Sequence, residues 1–315
     1  VIGMTTREGA TEEEEGDFIE HLFTATTHDY LMFFTEAGRA YVKKVYEIPE
    51  MGRAAKGRSI ANILELKPDE KIAATIRIQS KKLGTGPAAV DQTWDENLHI
   101  VFAANSGIVK KSNLSDYRNV RKGGIIAIQI EKGDRLIDAK LTNGNNELVL
   151  ITKEGMSLRF HEEQLRDQGR NTVGVWGIRP EKKDNVVALA ILDPNAMLLV
   201  AGENGIGKRT PFDDYRKQNR GGKGIITMKT GTKTGDVVGA LTVRDSDELM
   251  LITTKGQMVR TRIKEIRETG RNTMGVKLMD LRAGEKLQAI APVVSQDEEE
   301  AKTAESDAAD KPEKK

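Results

Sequence analysis

The sequence predicts an all-β fold of propeller-like blades, and three observations predict it. An apolar run, a polar turn with one glycine and a second run ending in Lys or Arg recur five times: Leu31 to Lys44, Ile100 to Lys111, Leu148 to Arg159, Leu198 to Arg209 and Leu249 to Arg260. The copies return at intervals of roughly 50 residues, the period of a blade array. Two further apolar runs follow each hairpin, which makes four strands per unit.

Each element follows from local chemistry. The hairpin turns carry Gly38, Gly107, Gly155, Gly205 and Gly256 at matched places, where a short loop needs a positive φ. Runs such as Leu31 to Phe34 and Leu249 to Ile252 do not alternate, so these strands are expected to be covered on both faces. The third and fourth strands are expected at Ser59 to Leu64 with Ile72 to Ile78, Ile125 to Ile130 with Leu136 to Leu141, Val173 to Ile178 with Val186 to Ile191, Ile225 to Lys229 with Val237 to Val243, and Val276 to Leu281 with Leu287 to Val293. The first pair is joined by a Lys67-Pro68-Asp69-Glu70 turn. Ser80 to Asn97 reads as a surface loop with few contacts and no chemistry.

At the start, Ile2 to Met4 and Phe18 to Ala25 read as the last two strands of an earlier copy. The sequence therefore predicts six blades, the first incomplete: residues 1–27 as a partial blade and 28–293 as five more. The chain opens on Val1 with no signal-peptide pattern and reads as a piece of a longer protein. Residues 294–315 hold Ala, Glu, Asp, Lys and Ser without an aromatic residue and predict a disordered acidic tail.

Composition narrows the function. No run approaches the ~18 apolar residues of a membrane span. The absence of cysteine excludes a disulfide framework or thiolate metal site and fits a reducing cytoplasm. His21, His28, His99 and His161 have no ligand spacing, and no serine has a nucleophile-elbow context. The net charge of +1 conceals an asymmetry: residues 1–17 hold one Arg against six acids and 297–315 hold four Lys against eight, leaving the body about +10. A basic body with an acidic tail suits nucleic-acid binding with self-competition; acidic ends that are merely solvated remain the simpler alternative.

The bends after the hairpins carry the chemistry. They read GRAAKG (Gly52 to Gly57), RNVRKGG (Arg118 to Gly124), GRNTVG (Gly169 to Gly174), QNRGGKG (Gln218 to Gly224) and GRNTMG (Gly270 to Gly275). Arg53, Arg170, Arg220 and Arg271 each precede a glycine by four residues, while the second copy instead crowds Arg121 and Lys122 against Gly123. Lys56, Arg58, Arg118, Arg216, Lys217 and Lys223 flank these positions, and the hairpins add Lys43, Lys44, Lys110, Lys111, Arg159, Lys208, Arg209, Arg260 and Arg262. Glycine admits a phosphate to backbone N–H groups and arginine offers it a planar fork. Cations repeated in register predict a continuous belt that holds a duplex backbone without reading its sequence. Each bend taken singly would be a turn with solubilising charge. Tyr117 and Tyr215 follow Asp116 and Asp214 in matched places and read as structural, so stacking platforms for single strands are not evident. Gly202 to Lys208 matches the start of a phosphate-binding loop, but Arg209 stands where Ser or Thr should hold magnesium.

The stretches Thr27 to Glu50, Gly52 to Leu64, Gly169 to Arg179, Asn204 to Thr210 and Gly270 to Val276 together resemble the C-terminal domain of gyrase A, the DNA-cleaving chain of DNA gyrase. The resemblance implies a six-bladed β-pinwheel with strand exchange between blades, whose basic rim wraps double-stranded DNA. It implies as partners the N-terminal cleavage core of gyrase A and the gyrase B chain in an A2B2 assembly that supercoils DNA negatively, with ATP and Mg bound elsewhere. No catalytic residue, metal or cofactor is expected in this chain. The family's diagnostic box, Q-R/K-R-G-G-R/K-G, is not present; Gln218 to Gly224 is close, with Asn219 at its second place, but lies in a later blade. Two other readings stay open. One is the equivalent domain of topoisomerase IV, which binds DNA without strong wrapping. The other is a propeller used for protein contacts, which would put apolar or aromatic residues on its loop face.

Overall fold

The computed structural model describes residues 2–6, 18–23, 25–50, 59–83 and 90–293. In chain order the strands are β1 (Ile2–Thr6), β2 (Phe18–Phe23), β3 (Tyr30–Thr35), β4 (Arg39–Lys44), β5 (Ile72–Ile78), β6 (Lys82–Leu83), β7 (Val90–Asp91), β8 (His99–Ala104), β9 (Ile108–Asn113), β10 (Ile125–Ile126), β11 (Leu136–Thr142) and β12 (Glu147–Thr152). They continue with β13 (Met156–His161), β14 (Val175–Trp176), β15 (Val186–Ile191), β16 (Met197–Gly202), β17 (Ile206–Pro211), β18 (Ile225–Ile226), β19 (Val237–Val243), β20 (Glu248–Thr253), β21 (Met258–Arg262), β22 (Val276–Lys277) and β23 (Leu287–Val293).

The pairing order defines the architecture. Four antiparallel sheets run β5-β3-β4-β10, β11-β8-β9-β14, β15-β12-β13-β18 and β19-β16-β17-β22, and a three-stranded sheet runs β23-β20-β21. Each four-stranded blade therefore takes its outermost strand from the following repeat. The innermost strands β5, β11, β15, β19 and β23 neighbour one another in sequence order, and β2 lies against β23.

The core lies between blades rather than in one centre. Met32 and Phe34 of β3 meet Ile100 and Phe102 of β8 in the first interface, while Leu31 and Phe33 face the opposite side with Tyr41 and Leu64. Successive residues of one strand thus enter different cores, which is why the runs do not alternate. Phe34 and Phe102 meet edge to face at 5.1 Å, and the same layering repeats between later blades.

The exchange also explains the turn glycines. The carbonyl of Gly107 accepts hydrogen bonds from Gly177 and Ile178 of the next repeat. A Cβ on Gly107, at φ +100°, would stand 2.4 Å from the Ile178 oxygen. Gly256, in the last blade, has a similar φ of +76° but nothing within 4 Å of its would-be Cβ. There the incoming strand is missing among the described residues.

Four expectations are corrected. The described residues form five blades, not six, because those described before residue 28 supply only the β1–β2 hairpin and a blade is built on an acceptor hairpin. The third strands of the repeats shrink to two residues each, because only those pair with the preceding hairpin. Ser59 to Leu64 is not a strand: Ile60–Asn62 forms a 3-10 turn, and among the described residues it pairs with no preceding hairpin. The 80–97 loop is not empty, since Trp94 is buried in the first interface and meets Tyr30 edge to face at 5.4 Å. The predicted tail, 294–315, lies outside the described residues.

Candidate nucleic-acid interface

The bends sit at the outer edge of the sheets because each leads into an exchanged strand. Their closing glycines are set by packing. A Cβ on Gly174, at φ +109°, would stand 2.4 Å from the Val109 oxygen of the receiving hairpin, and Gly224 and Gly275 make the same approach to Ser157 and Gly207. The glycines thus seat the bend on the previous blade, where the sequence had suggested access for a phosphate.

Cations divide into an inner and an outer set. Lys110 and Lys208 are fully buried, which removes them from the expected belt. The Lys110 ammonium donates to the carbonyls of Ala127, Gly169 and Arg170 at 2.7–2.9 Å. Lys208 donates to Gly270 at 2.8 Å, to Arg271 and to the Thr273 hydroxyl at 3.0 Å. Three acceptors satisfy all three N–H groups. Burial pushes both ammonium pKa values down to about 8; the charges of Arg170 and Arg271 add to the effect, while Asp116 and Asp214 oppose it. The Gly202 to Lys208 stretch is therefore a β16–β17 hairpin whose lysine is already engaged.

Three more hairpin cations act as braces. Lys111 reaches the Glu162 carbonyl at 3.3 Å and Asp167 at 3.7 Å. Arg159 pairs with Glu147 at 3.0 Å and donates to the carbonyls of Phe212 and Tyr215. Arg209 donates to the Ile266 carbonyl at 2.6 Å and contacts Asp245. These too leave the belt, because their charge is spent on carbonyls and carboxylates. Glu147 shows the result: burial works to raise its pKa, but Lys217 and Arg159 hold it below the ordinary value.

The remaining hairpin positions are half-buried or exposed and partnered. Lys43 lies 3.7 Å from Glu47, Lys44 sits over the rings of Tyr30 and Tyr46, and Arg260 and Arg262 share Glu248. Lys217 and Lys223 form surface pairs of 2.6 Å with Glu147 and Glu181. Arg53, Lys56 and Arg58 lie outside the described residues.

The outer set is in the bends. Arg118, Arg121, Lys122, Arg170 and Arg216 are exposed, and Arg220 and Arg271 are half-exposed. No carboxylate stands within 4 Å of any of these among the described residues. Arg220 is aimed by the carbonyls of Gln164 and Trp176, and Arg271 by that of Ile226. Sequence reasoning missed Arg166 and Arg267, both exposed. The signal was present: Arg118, Arg166, Arg216 and Arg267 each follow a buried Tyr117, Leu165, Tyr215 or Ile266. Four consecutive blades thus present two rows of cations about four residues apart. The inner cations grip the same segments, since Arg159 and Arg209 hold the carbonyls of Tyr215 and Ile266, immediately before two of those arginines.

The family model described as the DNA gyrase C-terminal domain, a beta-propeller, matches residues 29–79, 98–143, 146–193, 196–244 and 247–293. The chain belongs to the DNA gyrase C-terminal domain family. Its relatives include the gyrase A protein of Mycolicibacterium smegmatis, 41% identical over 94% of this chain and 34% of that protein. The gyrase A protein of Clostridium acetobutylicum is 40% identical over 94% and 34%. The chain therefore spans about a third of the length of these curated relatives. A solved DNA gyrase A C-terminal domain superposes with a TM-score of 0.75 at 22% identity, covering 93% of this chain and 90% of that one. A solved C-terminal domain of DNA topoisomerase IV gives 0.78 at 24% identity, covering 95% and 89%; at these identities both speak to fold alone. The five matched gyrase-family segments coincide with the five covalent repeats, each holding one hairpin and one innermost strand. Their boundaries fall between hairpins and leave β1 and β2 outside.

Proposed function

We propose that this domain holds double-stranded DNA against its outer edge and wraps it, by contact with the phosphate backbone and with little sequence preference. The observation that carries this reading is the double row of bend arginines on consecutive blades, with no carboxylate within 4 Å among the described residues. Arginine forks suit phosphate oxygens, and such contacts fix position without specifying bases. Within a longer gyrase A chain, the domain would present the wrapped segment to the N-terminal cleavage core. The gyrase B chain would complete an A2B2 type IIA topoisomerase, with ATP and Mg bound outside this domain. The domain itself would act by binding alone, in the cytoplasm.

Two cations from each of four blades correspond to the engagement of about eight phosphates. Affinity should then fall by about 10³ to 10⁵ between 50 and 200 mM salt. A gel-shift series measures this, and a flat response overturns the reading. Relaxing circular DNA with topoisomerase I in the presence of the domain separates wrapping from plain binding. A shift in the linking-number distribution supports a gyrase-type role, while binding without a shift supports a topoisomerase IV-type role. The curated relatives, which carry the gyrase A name, favour the first.

A further inference from the structure

The exchanged strands carry a second repeated feature. In each two-residue strand the first side chain packs inward and the second points outward. The outward residues are Ile126, Trp176 and Ile226, exposed at 45%, 39% and 39%. Single exposed apolar residues are ordinary on protein surfaces. These three recur at one position of three consecutive blades, and each adjoins the next bend. Arg220 donates to the Trp176 carbonyl at 3.2 Å and Arg271 to the Ile226 carbonyl at 2.7 Å. Lys110 ties Arg170 to Ala127, the residue after Ile126. Arg179 lies over the Trp176 ring at 5.7 Å.

We propose that Ile126, Trp176 and Ile226, each set beside a bend arginine, form an apolar seam of the duplex-contacting edge and lie against deoxyribose faces in the minor groove. This rests on the DNA-binding reading above. The chemistry follows from what a duplex offers. Arginines on either side take phosphates, and the surface left between two phosphate rows is the sugar-lined minor groove. Proteins that bend DNA place apolar side chains there. The fourth equivalent position is Lys277, paired with Asp280 at 2.6 Å, so the seam covers three blades of the edge.

The chain has two tryptophans, and Trp94 is buried, so fluorescence reports directly on the seam. In a Trp94→Phe variant of the full 315-residue chain, Trp176 is the sole tryptophan emitter. Saturation with a mixed-sequence duplex should shield it from acrylamide severalfold. The Ile126→Ser, Trp176→Ser, Ile226→Ser triple variant should bind duplex about tenfold more weakly, with the slope of log affinity against log salt unchanged. Arg170→Ala should instead lower that slope by about one. Bound duplex with Trp176 still fully quenchable overturns the proposal, as does wild-type affinity in the triple variant. A triple variant that binds DNA normally but no longer assembles with the rest of gyrase also overturns it, in favour of a protein contact. If the unsubstituted chain shifts no duplex at all, the DNA-binding reading fails and takes this proposal with it.

Discussion

Lys110 and Arg170 carry the same charge and stand close together, yet one is sealed and the other open. Their difference is set by the exchanged strand, which covers the hairpin and leaves the bend at the edge. Replacing Lys110 by Met would remove the ammonium that joins the carbonyls of Ala127, Gly169 and Arg170 across two repeats. We expect a loss of about 3 kcal/mol in urea unfolding, with Lys208→Met similar. The pH dependence has a definite sign. Both folded-state pKa values, about 8, lie below the ordinary 10.5, so between those values the unfolded chain binds more protons. Stability should therefore rise in that window relative to the double Met variant. Tyr215, raised to about 12 by burial, acts oppositely above pH 10, since there the unfolded chain gives up a proton the folded one keeps. Urea midpoints taken from pH 7 to 11 should thus rise and then fall. The sequence could place these cations in register but could not rank them. A Lys next to a Gly-rich bend looks the same whether it meets water or three carbonyls. Arg166 and Arg267 show the reverse: their register was legible, but neither lies inside a bend motif.

At the scale of the strand, long apolar runs were legible and short ones were not. The hairpins and the innermost strands such as β15 and β19 fall where the pattern of the sequence placed them, because each buries a full face. The two-residue strands could not be bounded from pattern, since their pairing is decided by a neighbouring repeat far along the chain. The turn glycine tests this exchange directly. Gly107→Ala must accommodate both a positive φ and a Cβ 2.4 Å from the Ile178 oxygen. Gly256→Ala meets only the φ strain, roughly 1–2 kcal/mol. Thermal melts should show the Gly107 variant losing at least twice as much as the Gly256 variant. Equal losses would mean that the exchanged strand does not close on the turn in solution.

Over the whole molecule, the repeat count was legible but the blade count was not. Five hairpins give five sheets; the β1–β2 hairpin adds two strands but no acceptor. The acidic tail, if it competes with phosphate for the bend arginines, should weaken DNA binding. Deleting residues 297–315 is expected to tighten binding in 100 mM salt by several-fold and to do less at 300 mM, where screening shortens its reach. Unchanged isotherms would assign the tail no part in binding.

The offset between covalent repeat and folded blade has one more consequence. Cutting the chain at any of the four later bends leaves a vacant edge on one fragment and an orphan two-residue strand on the other, and these four seams share one pairing pattern. A tandem duplication or loss of one genetic unit therefore recreates matching joints on both sides. Gyrase-like domains with more or fewer units can arise in single steps, with no joint having to be invented.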